Sequence, residues 1–197
     1  MLQLNRERLI GKGWHRECYE HPNDRNLCIK VVVNGNNAET NREQAYYRYL
    51  TQHLTDWRAV PRFHGNVETN LGQGAVFDLV YDSDGQVSRT LGYYLESPER
   101  FLKNKTALNS ALAQLKQYQL QHNVLTMSLK PNNLLIQRND DGAFSAHIID
   151  NLGNADWIPL ANYFSWFGSA KIERKWSRFH KLLGQTYPHL GNDLQAF

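Results

Sequence analysis

The sequence lacks most of the features that mark secreted or membrane-spanning proteins. Only two of its 197 residues are cysteine, and Cys18 and Cys28 have neither the spacing of metal ligands nor the density of a disulfide framework. Residues 1–8 lack the apolar core of a signal peptide, and no run reaches the roughly 20 apolar residues of a membrane span. We therefore expect a cytoplasmic protein with reduced cysteines and no membrane partner.

A strong excess of charge of one sign is also absent. The 22 Lys and Arg residues against 19 Asp and Glu residues leave a formal net charge of +3. This charge is compatible with binding nucleotide phosphates but too weak to indicate a nucleic-acid partner without a patterned basic surface. There is no internal repeat or low-complexity segment. A hydrophobic fraction of 41% and a charged fraction of 21% indicate an ordered globular protein, built as one domain or two small lobes.

The most informative stretch is T-M-S-L-K-P-N-N-L-L-I at residues 126–136. It resembles the catalytic loop of protein kinases, in which H-R-D-L-x-x-x-N precedes an apolar strand. Asn133 falls at the position of the magnesium-binding asparagine, Lys130 where a lysine often faces the transferred phosphate, and Ser128 replaces the base aspartate. The simpler alternative is a turn before a strand, because Pro and Asn both favour turns.

Two earlier segments resemble the phosphate-binding parts of the same fold. Residues 9–19 predict two strands around a tight turn, with Gly11 and Gly13 placed as in the kinase glycine-rich loop and Arg16 in place of its third glycine. A pair of glycines alone more often marks a hairpin. Lys30 interrupts the apolar strand at residues 27–33, as does the kinase lysine that contacts the nucleotide phosphates. A lysine in such a strand either has an anionic partner or reaches solvent at the edge.

A helix is predicted for residues 38–54, because Glu43 shares one face with apolar residues at steps of three or four. Glu43 resembles the glutamate that pairs with the kinase lysine, which here would be Lys30; Glu39 is the rival candidate, and both could be solvated. Two further strands complete a predicted antiparallel sheet of five strands with one helix against it. Residues 82–86 are the most linker-like segment and are expected to divide two lobes and to edge an adenine pocket.

The second half predicts helices at residues 90–95 and 106–122, the latter capped by Asn104 or Thr106, and a hairpin that ends at Asp150. Asp150 resembles the metal-binding aspartate of the kinase D-F-G motif, although Asn151 replaces the aromatic and Gly153 comes one residue late. A solvated loop aspartate is the alternative. The aromatic residues at 157–167 are expected in the core. The basic run at residues 171–181 is expected to be a solvated helix face.

These signals occur in the order that the kinase-like fold requires. The chain is identified as a member of the PhoP regulatory network protein YrbL family, small bacterial proteins with a kinase-like fold. The resemblance rests on segments spread over nearly the whole chain: residues 13–19, 42–43, 46–47, 61–65, 126–134, 150–153 and 175–179.

This resemblance implies an α+β, two-lobed protein-kinase-like fold, as a single domain over residues 1–197. Residues 1–86 would form an antiparallel sheet with one helix, and residues 87–197 a reduced, mainly helical lobe. It implies ATP and Mg²⁺ as ligands. The implied site residues are Gly11, Gly13, Lys30 and Glu43 for the nucleotide, Asn133 and Asp150 for the metal, and Ser128 and Lys130 at the catalytic positions.

Three functions are compatible with the sequence. The first is an atypical transferase that moves phosphate, or another part of ATP, to an unknown acceptor; Ser128 would then be a poor base, because an unactivated hydroxyl accepts protons badly. The second is a non-catalytic, nucleotide-binding pseudokinase that acts on a regulatory protein. The third is an adaptor whose basic face at residues 171–181 binds an acidic partner.

Overall fold

The structure is a computed structural model and describes residues 1–35, 38–154 and 165–190. It is a mixed α+β protein with a five-stranded antiparallel sheet, a separate three-stranded sheet and, in the described residues, four α-helices. No helix among these residues is long and apolar enough to cross a membrane. Cys18 and Cys28 are free thiols.

The first half forms the large sheet and the helix that covers it. The strands are β1 (Leu9–Lys12), β2 (Arg16–Glu20), β3 (Leu27–Val32), β4 (Phe63–Thr69) and β5 (Gly72–Asp78), arranged in the order β1-β2-β3-β5-β4. Helix α1 (Ala38–His53) packs the Tyr47 ring against Phe63 and Phe77 of the sheet. The predicted set of five strands and one helix is confirmed, because the alternating and helical hydrophobic periods of this half are both clear.

The second half contains β6 (Arg89–Thr90), β7 (Leu134–Arg138) and β8 (Phe144–Ile148), with the helices α2 (Leu91–Leu95), α3 (Pro98–His122) and α4 (Ser165–Thr186). Helix α3 begins eight residues before the predicted start at residue 106. Its cap is Ser97, whose side chain accepts a hydrogen bond from Arg100 N at 3.2 Å, and Pro98 follows in the first turn. Serine at the cap and proline after it are the usual start of a helix, so the prediction of Asn104 or Thr106 as the cap is wrong.

The segment at residues 82–86, predicted to be the most linker-like, is held firmly to the second half. Asp82 is buried and accepts hydrogen bonds from Ser88 Oγ at 2.7 Å and from Arg138 N and Nε at 3.0 and 2.7 Å. These contacts hold the pKa of Asp82 below its ordinary value in spite of its burial. The chain therefore passes between the two sheets through a fixed turn.

One connected core joins the two halves. It includes Tyr47 and Phe77 from the first half and Leu112, Leu115 and Trp176 from the second. Trp176 on α4 also donates an indole hydrogen bond to Gln119 Oε1 on α3 at 2.9 Å, inside this core. Because the core crosses the boundary, side chains from both halves meet in fixed positions there.

The aromatic residues at 157–167 were predicted to lie in the core, and this prediction is wrong for Trp166 and Phe167, the two of them whose side chains the structure describes. Trp166 and Phe167 are 67% and 38% exposed, and their rings stack with centroids 3.8 Å apart. They lie in the first turn of α4, whose buried face is formed further along by Ile172, Trp176, Phe179 and Leu183. Residues 157–164 lie outside the described residues.

Candidate functional site

Lys30 reaches from the large sheet to the second half of the chain. It lies on the central strand β3, opposite Cys18 on β2 and Ala75 on β5. Its ammonium group passes over the Phe77 ring, 4.7 Å from the centroid, and donates a hydrogen bond to the carbonyl oxygen of Ile149. Lys30 is therefore half-buried and points to the residue before Asp150. The alternative of a lysine that reaches solvent at the edge of the sheet is not what the structure shows.

A three-residue ionic bridge lies beside Lys30. Arg16, the first residue of β2, pairs through one guanidinium nitrogen with Glu43 Oε2 at 2.5 Å and through the other with Asp150 Oδ1. The side chains of Arg16, Glu43 and Asp150 are 13%, 2% and 29% exposed. The bridge thus connects the sheet, helix α1 and the end of the β7–β8 hairpin in a partly dry environment, where charge pairs are stronger than in water.

This bridge corrects one sequence prediction. Glu43 does lie on the inward face of α1, and its rival Glu39 is exposed, but the ion partner of Glu43 is Arg16 and not Lys30. The planar guanidinium fork can hold two carboxylates at once, which a lysine ammonium does less well. The only sequence signal for Arg16 was that a large cation stands where the glycine-rich loop usually has its third glycine.

The glycine turn fixes the position of Arg16. Gly11 pairs with Cys18 across the β1–β2 ladder. Gly13 N donates to Arg16 O at 2.8 Å, and a Cβ on Gly13 would lie 3.3 Å from that same oxygen. A larger residue at position 13 would therefore press on the backbone that carries the guanidinium.

The predicted catalytic loop pairs directly with the segment that follows Asp150. Met127 N donates to Asn151 O at 2.7 Å, and Gly153 N donates to Leu125 O at 3.0 Å. The Thr126 hydroxyl lies 2.8 Å from Asn151 O, so it can donate its proton there. The buried Tyr46 hydroxyl of α1 accepts from Leu125 N at 2.8 Å, and burial raises the pKa of Tyr46, which keeps it neutral.

Asn133 lies at the end of a short 3₁₀ turn (Pro131–Asn133) and next to the same segment. Its carbonyl oxygen accepts a hydrogen bond from Ile149 N at 3.0 Å. Among the described residues, neither its side-chain Nδ2 nor Glu43 Oε1 has a hydrogen-bond partner, although both atoms are buried. Buried polar atoms of this kind are costly unless something satisfies them, so both mark places where a polar ligand would add stability.

Ser128 and Lys130 stand apart from this cluster. Ser128 is half-buried and Lys130 is exposed. Within the described ranges, neither side chain forms a hydrogen bond or ion pair with Asn133 or Asp150. Lys130 is thus positioned to contact a group that arrives from solvent, whereas Ser128 brings no carboxylate to the loop.

Two lysines of α4 hydrogen-bond to the segments that form the site, and this contact was not predicted from the sequence. Lys171 is 5% exposed and donates to Asn154 Oδ1, and Lys175, one turn later, donates to Met127 O. The expectation that residues 171–181 form a solvated face is therefore wrong at Lys171. The missed signal is the spacing of four, which puts both lysines on one face of the helix.

The donor set suits phosphates and a hard cation. Lys30 and Arg16 can neutralise phosphate oxygens, and the oxygens of Asn133 and Asp150 are ligands that Mg²⁺ accepts together with water and phosphate. In the described part of the chain, no three His, Cys, Asp or Glu side chains gather as they would around zinc. A pocket of about 170 Å³ opens beside the bridge, lined by His15, Arg16, Val32, Gly35, Glu39 and Thr40.

Comparison with known proteins identifies relatives over nearly the whole chain. A family model described as PhoP regulatory network protein YrbL matches residues 2–184. Two proteins, each named uncharacterized protein YrbL, from Escherichia coli (strain K12) and from Shigella flexneri, are both similar to it. Each is 40% identical over 182 residues, which cover 91% of this chain and 86% of the relative.

Proposed function

The chain belongs to the PhoP regulatory network protein YrbL family, and from this premise we propose that it is a small kinase-like protein that binds Mg-ATP and transfers part of it to an acceptor. The observation that carries the proposal is the convergence of Lys30, Glu43, Asn133 and Asp150. These residues come from four separate elements, yet their direct partners are shared: Ile149 contacts Lys30 and Asn133, and Arg16 contacts Glu43 and Asp150.

The proposal includes a two-lobed, kinase-like arrangement within a single domain over residues 1–197. Residues 1–86 would be the upper lobe and hinge, and residues 87–197 the lower lobe. The separation of the two sheets supports this division. At the hinge, Val80 O and Tyr81 O already accept from Ser88 N and Gln137 Nε2. An adenine amino group that donates to either oxygen would use the second lone pair of that carbonyl.

Each residue of the cluster then has a defined task. Lys30 would give up its contact with Ile149 O for the phosphates, and the backbone around Gly11 and Gly13 would cover them. Asn133 and Asp150 would hold Mg²⁺, which would neutralise the developing charge. Phosphoryl transfer depends mainly on positioning and charge stabilisation, so the lack of a base at Ser128 would slow the reaction, by roughly 10²–10⁴-fold, without preventing it.

The second candidate is a pseudokinase that binds the nucleotide and acts on a regulatory protein. It is favoured by Ser128 and by the pairing of Arg16 with the proposed metal ligand Asp150. The adaptor function is less well supported, because the buried Lys171 reduces the basic face that an acidic partner could contact. A cytoplasmic location is part of the proposal, since ATP is made and used there.

Incubation with ATP labelled either at the γ-phosphate or at the α-phosphate, with Mg²⁺ and a cell extract as the source of acceptors, tests the proposal. We expect a transferred label that Lys30→Ala strongly reduces. Lys116→Ala is the matched control, since it removes a lysine of α3 that pairs with Glu173 of α4 outside the proposed site. Binding of the labelled ATP to the protein without transfer of either label would favour the pseudokinase instead. Absence of ATP binding would refute both candidates.

A further inference from the structure

We propose that Arg16 is an exchangeable counter-ion of the site: it neutralises Asp150 while no metal is bound, and it moves to the phosphates when a divalent cation takes Asp150. This inference rests on the proposed function, which it extends by naming how metal and nucleotide binding are coupled. Its basis is the bridge from Arg16 to Glu43 and Asp150, in which one cation serves two carboxylates.

The two ends of the bridge differ in exposure. The Glu43 side chain is 2% exposed, and a carboxylate buried to that extent needs a nearby positive charge. The Asp150 side chain is 29% exposed and can be solvated or bind a metal instead. Arg16 can therefore release Asp150 more easily than Glu43.

A cation on Asp150 and the guanidinium on the same carboxylate repel each other, since both are positive and only partly screened. Glu43 can retain one side of the released guanidinium, because Oε2 already holds it at 2.5 Å and Oε1 is buried with no hydrogen-bond partner in the part of the chain that the structure describes. The guanidinium nitrogen released from Asp150 needs a new anion. Phosphate oxygens accept the guanidinium fork in the same two-pronged manner as a carboxylate.

The exchange predicts cooperative binding. A divalent cation alone would bind weakly, because it displaces Arg16 from Asp150 and offers it no new partner. ATP alone would also bind weakly, because Arg16 remains on Asp150. The two ligands together supply a cation for Asp150 and an anion for Arg16, so each would increase the affinity for the other.

The test measures binding of Mn²⁺ alone by electron paramagnetic resonance, and binding of ATP with and without Mn²⁺ by calorimetry. We expect Arg16→Gln to bind Mn²⁺ alone at least tenfold more tightly than the wild type. We also expect the enhancement of ATP affinity by Mn²⁺ to fall at least tenfold. Arg58→Gln is the matched control, because it makes the same substitution at an exposed arginine that pairs with Asp56 outside the proposed site; it should change neither quantity.

Unchanged Mn²⁺ affinity in Arg16→Gln would overturn the exchange. An equal change in Arg58→Gln would also overturn it, because a general effect of net charge would then account for the data. A failure of the proposed function would give a different result from a failure of the exchange. If no variant binds ATP while Arg16→Gln still binds Mn²⁺ more tightly than the wild type, the competition between Arg16 and the metal stands and the nucleotide site does not.

Discussion

Replacing Arg16 by alanine should strongly destabilise the protein in the absence of any ligand. The substitution leaves Glu43, whose side chain is 2% exposed, without its ion partner. Removing one partner of a buried ion pair costs about 3–5 kcal/mol. The loss at Asp150 adds little, because a carboxylate that is 29% exposed can be solvated and surface pairs contribute about 0–1 kcal/mol. We therefore expect the free energy of unfolding to fall by about 3 kcal/mol.

For a domain of this size, each kcal/mol shifts the melting temperature by about 2–4 °C, so Arg16→Ala should melt roughly 6–12 °C below the wild type in differential scanning calorimetry at pH 7. Lys12→Ala is the control, since it breaks only the pair between Lys12 and Glu17 at 3.2 Å, with Lys12 67% exposed. Its melting temperature should fall by at most about 2–4 °C. An Arg16→Ala variant as stable as Lys12→Ala would refute the conclusion that the bridge is a buried one.

Three further outcomes are expected. Burial lowers the pKa of His147 to about 4, so between pH 6.5 and 4 the unfolded chain binds a proton that the folded protein does not. The free energy of unfolding therefore falls as the pH falls, by up to about 1.4 kcal/mol per pH unit. His147→Gln should reduce this pH dependence in urea melts at pH 4.5 and 7. Trp176→Phe leaves the buried Gln119 Oε1 without its donor at 2.9 Å and should cost about 1–3 kcal/mol in the same melts, whereas an unchanged stability would show that the hydrogen bond is dispensable. Ser128→Asp restores a base and should raise the rate of ATP turnover; no gain in a folded variant would favour the pseudokinase.

The sheet of the first half could be predicted because its information is local. Residues 27–33 form an apolar run broken only by Lys30, and the helix that follows repeats its buried residues every three or four positions. These periods depend on the geometry of a single strand or helix. The inward orientation of Glu43 followed from the same reasoning, and its burial agrees with it.

The partner of Glu43 could not be predicted, because it depends on the path of three separate elements. Arg16 and Asp150 are 134 residues apart in sequence, and nothing local indicates that their side chains meet. Lys30 and Arg16 are both cations on neighbouring strands of one sheet. Which of them contacts Glu43 is decided by side-chain reach and by competition with Ile149 O, and these appear only when the two halves are packed together.

Two further differences between prediction and structure have local causes. The hydrophobic stripe of α3 predicts a start at residue 106, but Ser97 and Pro98 begin the helix earlier, because they are the preferred residues at a helix start. The charge of Lys171 predicts an exposed side chain. It is buried instead, because it hydrogen-bonds to Asn154 Oδ1, and a polar partner of that kind offsets the cost of burying an ammonium group.

The most direct test of the account is the melting temperature of the wild type and of Asp150→Asn without ligand, with ATP alone, and with ATP and Mg²⁺ together. At a ligand concentration near 100 times Kd, binding to the native state alone stabilises it by about 2.7 kcal/mol, which corresponds to a rise of roughly 5–10 °C. The wild type should show this rise only when Mg²⁺ is present, and Asp150→Asn should lose the magnesium-dependent part. No rise in the wild type with Mg-ATP, or an equal rise in Asp150→Asn, would contradict the assignment of this cluster as a nucleotide site.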